Sequence, residues 1–304
     1  MEKRKIWFKG AIVLVDQAKV NILSPTAQFG INVFEGIRFY WNNDHQQLYV
    51  FRLSEHLDRL LESCKLIGIN CPYSFKQIES FLFDTIHENQ YREDIAVRMT
   101  IFIDGEGSWS SVEPVEMFIA PIKKQRTNPE NIKGLSACVS TWERISDNCF
   151  PPRIKAGANY INGRYGQLEA KRNGYDLPIF LGRSGKVAEG AGACLFMVRR
   201  GVLITPTLTS SVLESITRAT LLDLAEKLGF KIFEREIDRT ELYLADEVFL
   251  CGSAAEITPI ISLDRIAIGT GLPGEITISL LRQYLEAVCN TGGLYSHWTV
   301  PVYR

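Results

Sequence analysis

Lys155 stands among small residues in Arg153-Ile154-Lys155-Ala156-Gly157-Ala158-Asn159-Tyr160, at the entrance of an expected helix. With so little steric cover its amine can reach a carbonyl cofactor, although the commoner fate of a lysine is a solvated surface charge. Ser215-Ile216-Thr217-Arg218 directly precedes the amphipathic run Ala219, Leu221, Leu222, Leu224, Ala225 and Leu228. The first N–H groups of such a helix lack partners within it and sit at the positive end of its dipole. Ile216 and Thr217 can therefore hold a phosphate, and ordinary Ser/Thr capping uses the same residues. Gly252-Ser253-Ala254-Ala255-Glu256 follows a strand-like run and reads either as a second cradle of small residues or as a strand-to-helix turn. Glu189, in Ala188-Glu189-Gly190-Ala191-Gly192 after a Ser184-Gly185 turn, has little bulk around it. Its carboxylate can approach a planar ligand, and a carboxylate that keeps a pyridine nitrogen protonated makes the ring an electron sink. A hairpin-edge glutamate in water fits the same residues. Arg59, in Glu55-His56-Leu57-Asp58-Arg59-Leu60, either shares a solvated ion-pair face with Glu55 and Glu62 or clamps a phosphate.

These residues need elements to position them. Short β-rich runs fall at Ile6–Phe8, Ile12–Val15 and Ile37–Trp41. Ser54 is placed to cap a helix carrying Leu57, Leu60, Leu61 and Cys64, and Ser74-Phe75-Lys76-Gln77 fits a capping box ahead of Ile78, Phe81, Leu82 and Ile86. Ile95–Ile103 alternates strictly, with Ala96 and Arg98 on the face opposite Ile95, Val97 and Met99. Val115–Ile122 is a further strand. The charged, Pro-containing stretch 123–134 reads as a linker, dividing a small N-terminal α/β domain (1–122) from a larger C-terminal domain (135–304). The latter has expected strands at Leu135–Trp142, Leu177–Leu181, Leu195–Val198, Lys231–Glu234 and Glu247–Cys251. Its expected helices are Asn159–Asn173, Ile216–Leu228 and Pro273–Cys289, the last with Pro273 in its first turn.

Composition excludes several classes. The chain has 304 residues and a net charge of −1 with no basic block, so nucleic acid is not an expected partner. No segment approaches the roughly 20 unbroken apolar residues of a membrane span. The opening Met1-Glu2-Lys3-Arg4-Lys5-Ile6-Trp7-Phe8 reads as a first strand, not a signal peptide. Seven irregularly spaced cysteines without Cys-x-x-Cys imply reduced, mostly buried thiols in a cytoplasmic protein, and four scattered histidines make a metal site unexpected.

Five motifs occur in order: Val33-Phe34-Glu35-Gly36-Ile37-Arg38, Glu55-His56-Leu57-Asp58-Arg59-Leu60, Lys155-Ala156-Gly157-Ala158-Asn159-Tyr160, Glu189-Gly190-Ala191-Gly192 and Leu244-Ala245-Asp246-Glu247-Val248-Phe249. Through them the chain resembles the fold-type IV, pyridoxal-phosphate-dependent class IV aminotransferases, and most of all the branched-chain aminotransferases, from about Ile6 to the Pro273 helix. The resemblance implies an α+β, two-domain fold like that of D-amino-acid aminotransferase, with the site between a small N-terminal and a larger C-terminal domain. It implies pyridoxal 5'-phosphate as cofactor and Lys155 as the Schiff-base lysine that also moves the substrate's proton. Glu189 then pairs with the pyridine nitrogen and Tyr160 with the phenolic oxygen, while Arg59, Ile216, Thr217 and Ser253 hold the phosphate. Phe29, Phe34, Ala96, Arg98 and Ala254 line the substrate side, and Trp109 lies where the family's loop reaches a neighbouring subunit's site.

The implied activity is ping-pong transfer of an amino group from a branched-chain or related apolar L-amino acid to 2-oxoglutarate, in a homodimer or higher homo-oligomer. D-amino-acid and (R)-amine transaminases and 4-amino-4-deoxychorismate lyase share the fold and the lysine, and a non-catalytic cofactor-binding protein is the other class. The chain departs from the pattern at several places. Cys194 stands where Asn is usual, and Ser215 where Gly is common before Ile-Thr-Arg. Phe29 and Ala96 occupy positions that are often tyrosine, and Lys123, Lys124 and Arg126 replace an aromatic, smaller-residue loop. These leave the cofactor machinery in place and open the choice of substrate.

Overall fold

The alternation of Ile95–Ile103 becomes a central strand in a sheet that buries one face under two helices. The computed structural model describes residues 4–289 and 295–303, so Met1–Lys3 of the expected first strand lie outside the described residues. The chain divides into two compact units, Met1–Arg126 with Ile154–Ala158 and Glu286–Arg304, and Thr127–Arg153 with Asn159–Leu285.

The first unit opens with β1 (Lys5–Phe8), β2 (Ala11–Leu14), α1 (Pro25–Phe29), β3 (Asn32–Asn42) and β4 (Gln47–Phe51). It continues with α2 (Leu53–Ile67), α3 (Phe75–Asn89), β5 (Ile95–Ile103) and β6 (Val115–Lys123). Its sheet runs β4-β3-β5-β6-β1-β2. Leu57 and Leu60 of α2 and Ile78, Leu82 and Ile86 of α3 share one core with Val97, Met99 and Ile101 of β5. The capping box at Ser74 and Gln77 is present. Ser54 is not the cap of α2. The helix begins at Leu53 behind Arg52, whose left-handed backbone (φ 47°) turns the chain out of β4 while its N–H donates to Trp298 O at 2.7 Å. The expected linker is pinned rather than loose: Lys124 N donates to Asp94 O at 3.1 Å, and the Arg126 guanidinium binds Asp94 at 2.6 and 2.5 Å.

The second unit contains β7 (Leu135–Glu143), α4 (Tyr160–Arg172), β8 (Leu177–Leu181), β9 (Val187–Gly190), β10 (Cys194–Arg199) and β11 (Val202–Thr205). Then come α5 (Ile216–Lys227), β12 (Lys231–Glu234), α6 (Arg239–Leu242), β13 (Glu247–Gly252), β14 (Glu256–Leu263), β15 (Ile266–Ala267) and α7 (Glu275–Cys289), which runs on into the first unit's last segment. The sheet follows β12-β11-β10-β13-β14-β7-β8-β9, and a pairing of Glu189 with Cys194 joins β9 back to β10. Six strands thereby form a closed circuit whose closing rung is Glu189–Cys194. Pro273 does not enter the first turn of α7; that helix end is capped instead by the Glu247 carboxylate, which accepts from Ile276 N at 3.0 Å and Thr277 N at 2.7 Å. The chain ends with β16 (Thr299–Pro301) added beside β4. This strand and the short Ile154–Ala158 segment pack with the first unit, although an N-terminal domain ending at residue 122 leaves them in the second. Among the described residues no helix is long and apolar enough to cross a membrane.

Candidate active site

In the first unit Lys155 is placed by its backbone. Val33 and Ala156 form an antiparallel bridge, Phe34 N donates to Lys155 O at 2.9 Å, and Gly157 N donates to Asn32 O at 3.2 Å. The segment lies along the N-terminal half of β3, which β4 pairs only from Phe39 onward. Lys155 N also donates to Ser63 Oγ of α2 at 3.2 Å. Gly157 is demanded by this approach, because a Cβ there would stand 2.6 Å from Asn32 Oδ1. The Lys155 ammonium lies 5.2 Å from the Phe34 ring centroid, and the Arg98 guanidinium carbon 3.9 Å from the same centroid. Arg98 is exposed, as the alternation of β5 requires, and faces side-chain-free Gly36 across the ladder. Half-buried Ala96 is two residues away on the same face of β5. Phe29 ends α1 and meets the exposed Trp109 edge-on at 6.1 Å.

Arg59 is not part of a solvated face with Glu55 and Glu62. It points inward from α2, and its Nε and Nη2 donate to the two carboxylate oxygens of Glu35 at 2.7 and 2.8 Å. His56 Nδ1 lies 2.7 Å from Glu35 Oε2. Residues 53, 56, 57, 59, 60, 63 and 64 form the buried stripe of α2, so its polar members reach β3 and the Lys155 segment. Burial works to raise the Glu35 carboxyl, but the charges and hydrogen bonds of Arg59 and His56 outweigh it and hold the group well below the usual carboxylate range. Burial pushes His56 down from its ordinary value, and Glu35 only partly opposes this.

In the second unit Glu189 lies on β9, 2% exposed, which removes the account of a hairpin-edge glutamate in water. Arg144, just beyond β7, donates Nε to Glu189 Oε1 at 2.9 Å and Nη2 to the same oxygen at 2.6 Å. Asn162 Oδ1 accepts from Arg144 Nη1 at 3.0 Å and fixes the guanidinium. Among the described residues the other oxygen, Oε2, accepts only from Leu213 N at 3.4 Å and the Cys194 thiol, a weak donor, at 3.6 Å. Burial raises the Glu189 carboxyl, and Arg144 does not cancel the rise. Tyr160 opens α4 beside Gly192, where an added Cβ would touch its ring at 3.4 Å. Gly163 lets the same helix press against the Ala191 carbonyl, so the Glu-Gly-Ala-Gly turn and α4 are fitted backbone to backbone.

Ser215 caps α5 by accepting from Arg218 N at 3.2 Å, which leaves Ile216 and Thr217 as the first two helical residues with their N–H groups at the helix end. Ser253 and Ala254 belong to a hairpin turn joining β13 to β14, not to a strand-to-helix turn, and Glu256 closes it with φ 51°. Ser253 is half-buried and Ala254 exposed. Of the expected residues, Phe34, Arg98 and Lys155 are thus gathered in one unit, and Tyr160 with the Glu189 turn in the other. Glu35, His56, Arg144 and Asn162 were not singled out by the sequence reading. Glu35 and His56 lie inside quoted motifs, but Arg144 and Asn162 carry no sequence signal and emerge only when β7, β9 and α4 are brought together.

A model of the family described as Amino-transferase class IV matches residues 32–263, and the chain belongs to that family. A probable branched-chain-amino-acid aminotransferase of Aquifex aeolicus (strain VF5) is 36% identical over 299 residues, covering 98% of this chain and 96% of that protein. The crystal structure of the branched-chain amino acid aminotransferase from Thermobaculum terrenum in its PLP form superposes with a TM-score of 0.94 at 42% identity, covering 100% of both chains. The branched-chain amino acid aminotransferase of T.th., complexed with N-(5'-phosphopyridoxyl)-L-glutamate, gives a TM-score of 0.93 at 33% identity, again over 100% of each chain. The fold is accordingly the two-domain, α+β, fold-type IV architecture.

Proposed function

We propose that this chain is a pyridoxal-phosphate-dependent transaminase that moves the amino group of a branched-chain or related apolar L-amino acid to 2-oxoglutarate in two half-reactions. Branched-chain substrates are named for the similar proteins, and a phosphopyridoxyl-glutamate complex of one of them supports glutamate and 2-oxoglutarate as the second couple. The observation that carries the reading is Glu189: a buried carboxylate pushed upward by burial, one oxygen forked by Arg144 and the other held, among the described residues, only by a 3.4 Å backbone N–H and a weak thiol donor. A protonated ring nitrogen is the partner such a group lacks, so the residues fit the cofactor.

When bound, the cofactor withdraws electrons from the substrate Cα and acidifies its C–H. Lys155 would hold the cofactor's carbonyl carbon through Nζ; once the substrate's amine displaces it, its freed amine would be the base that takes the proton from Cα. Glu189 would keep the ring nitrogen protonated, with Arg144 and Asn162 fixing its orientation. Tyr160 would donate its hydroxyl to the phenolic oxygen. The N–H groups of Ile216 and Thr217, with Ser253 and Arg59, would bind the phosphate. Phe29, Phe34, Ala96, Arg98, Trp109 and Ala254 shape the substrate side, where the exposed Arg98 guanidinium suits a carboxylate. The enzyme is assigned to the cytoplasm and to a homodimer or higher homo-oligomer. Apolar surface at Trp109 and at the stacked Trp142–Tyr165 pair supports association with a second copy.

A half-reaction screen tests this. L- and D-amino acids and amines are added to the purified protein with bound cofactor, and loss of its visible absorbance is followed. L-Leu, L-Ile and L-Val are expected to discharge the band, and Lys155→Ala to slow this by about 10⁴-fold. Preference for D-enantiomers overturns the substrate assignment, and failure to bind cofactor overturns the whole reading.

A further inference from the structure

Glu35 is a charged residue in an apolar core. It lies on the face of β3 that carries Val33 and Ile37, opposite Met99 of β5, and all four are fully buried. An aliphatic side chain at this position would pack as its neighbours do, and a buried ion pair gives little or no stability over an apolar replacement of similar volume. What the carboxylate adds is direction. It takes Arg59 Nε at 2.7 Å and Arg59 Nη2 at 2.8 Å, and His56 Nδ1 lies 2.7 Å away, so one point on β3 is fixed to two residues a turn apart on α2.

The same two elements hold Lys155. Ser63, a further turn along α2 and 1% exposed, accepts from Lys155 N at 3.2 Å. Phe34, next to Glu35 on β3, donates its N–H to Lys155 O at 2.9 Å. Ile154 and Ala156, on either side of the lysine, are buried in the core that Val33, Leu57 and Leu60 share. Ala156 N donates to Ile154 O at 2.8 Å, which makes a three-residue turn with Lys155 at its centre. The N–H and the C=O of Lys155 are therefore engaged on opposite sides of the joint between α2 and β3, and Glu35 fastens that joint.

Resting on the proposed function above, in which Lys155 is the reactive amine, we propose that Glu35, His56 and Ser63 are positioning residues for Lys155. Glu35 and His56 set the spacing of helix and strand, and Ser63 passes that spacing to the main chain of the lysine. Apolar packing alone is non-directional and fixes the joint less closely. The precision matters because a displacement of about 1 Å at a reacting group can cost on the order of 100-fold in rate.

The test uses the full chain in Ser63→Ala, Ser63→Thr, His56→Leu and Glu35→Gln, with and without pyridoxal phosphate. In cofactor-free protein, hydrogen exchange of the Lys155 amide is compared with that of Val97, which is fully buried on β5. With cofactor added, the rate of the absorbance change on its attachment to the lysine is followed. Ser63→Ala is expected to speed Lys155 exchange relative to Val97 by about fivefold, the effect of losing one ordinary hydrogen bond, and to slow attachment by about as much or more. Ser63→Thr keeps the hydroxyl and should restore both. Glu35→Gln and His56→Leu alter the joint and not the main chain of the lysine, yet should change both quantities in the same direction as Ser63→Ala. A carboxylate that only stabilised the fold would speed exchange of Lys155 and Val97 alike. Should Glu35→Gln not fold, His56→Leu carries the test, since it leaves both Arg59 contacts in place. Lys155 exchange that merely follows Val97 in His56→Leu and Glu35→Gln, or attachment at the parent rate in both, overturns the proposal, as does unchanged Lys155 exchange in Ser63→Ala. A parent chain that binds no cofactor overturns the proposed function instead, and the exchange comparison still decides whether Glu35 and Ser63 hold the lysine.

Discussion

Glu35 and Glu189 are both buried carboxylates on strands, and each faces an arginine. Glu35 receives Arg59 on both oxygens and His56 as well, so its acceptors are filled and the group stays ionised against the cost of burial. Glu189 receives Arg144 on one oxygen and, among the described residues, only a 3.4 Å backbone N–H and a weak thiol donor on the other, and burial prevails. Two carboxylates of similar burial thus take opposite shifts because of the number and placement of their donors. A filled carboxylate organises the protein around itself. A partly filled one retains affinity for a further cation, which is what a ligand-binding group requires.

The sharpest way to break this contrast is to neutralise each carboxylate in turn. Glu35→Gln removes the carboxylate charge that buried Arg59 and His56 share and is expected to lower the unfolding free energy of cofactor-free protein by about 3–5 kcal/mol, measured by denaturant titration. Glu189→Gln should slow transamination by on the order of 100- to 1000-fold in single-turnover assays, with a much smaller loss of stability, since burial already opposes the charged form of this carboxyl. Equal stability losses in the two variants would erase the distinction.

Acidification separates the pair by sign. The folded Glu35 value lies below its unfolded value of 4.5, so its contribution is complete above that pH and is lost as pH falls. His56 is lowered from 6.5, which favours the folded state above that pH and is likewise lost on acidification. Glu189 is raised, so its contribution is present below 4.5 and lost as pH rises. Unfolding free energy of the cofactor-free protein should therefore decline below about pH 6.5 and again below about 4.5. Glu35→Gln should flatten the lower limb, and Glu189→Gln should retain it. The smallest effect is expected from Asn162→Ala, which frees the Arg144 guanidinium from its 3.0 Å contact and should cost about 1 kcal/mol, or about fivefold in turnover.

Much of this arrangement was legible in the residue order. The Ile95–Ile103 alternation, the Ser74 capping box and the helix after Ser215 rest on local periodicity and capping chemistry, and each forms where expected. Lys155 and Glu189 stood out through their small neighbours and Tyr160 through the family resemblance; in the structure Gly163 lets α4 approach the Ala191 carbonyl, and Gly192 leaves room for the Tyr160 ring. Strands β9, β11 and β14 were not expected. β9 has four residues including glutamate and glycine, and β14 carries Pro259 in a run that reads as broken. β9 is held between its neighbours β8 and β10, and β14 pairs with its neighbour β13 and with the distant β7. The turn at Ser253 was missed because the run after it, broken by Pro259, does not read as a strand, and the inward face of Arg59 because its partner Glu35 is 24 residues away in sequence. Arg144 and Asn162 acquire meaning only through the closing of the strand circuit at Glu189–Cys194.

The most direct test follows the Glu35 and Glu189 carboxyl resonances in one sample as pyridoxal phosphate is added. The prediction is that the Glu189 titration, raised from its ordinary value without cofactor, moves downward on binding, while Glu35 stays ionised throughout. A Glu189 resonance that does not respond to saturating cofactor would contradict it.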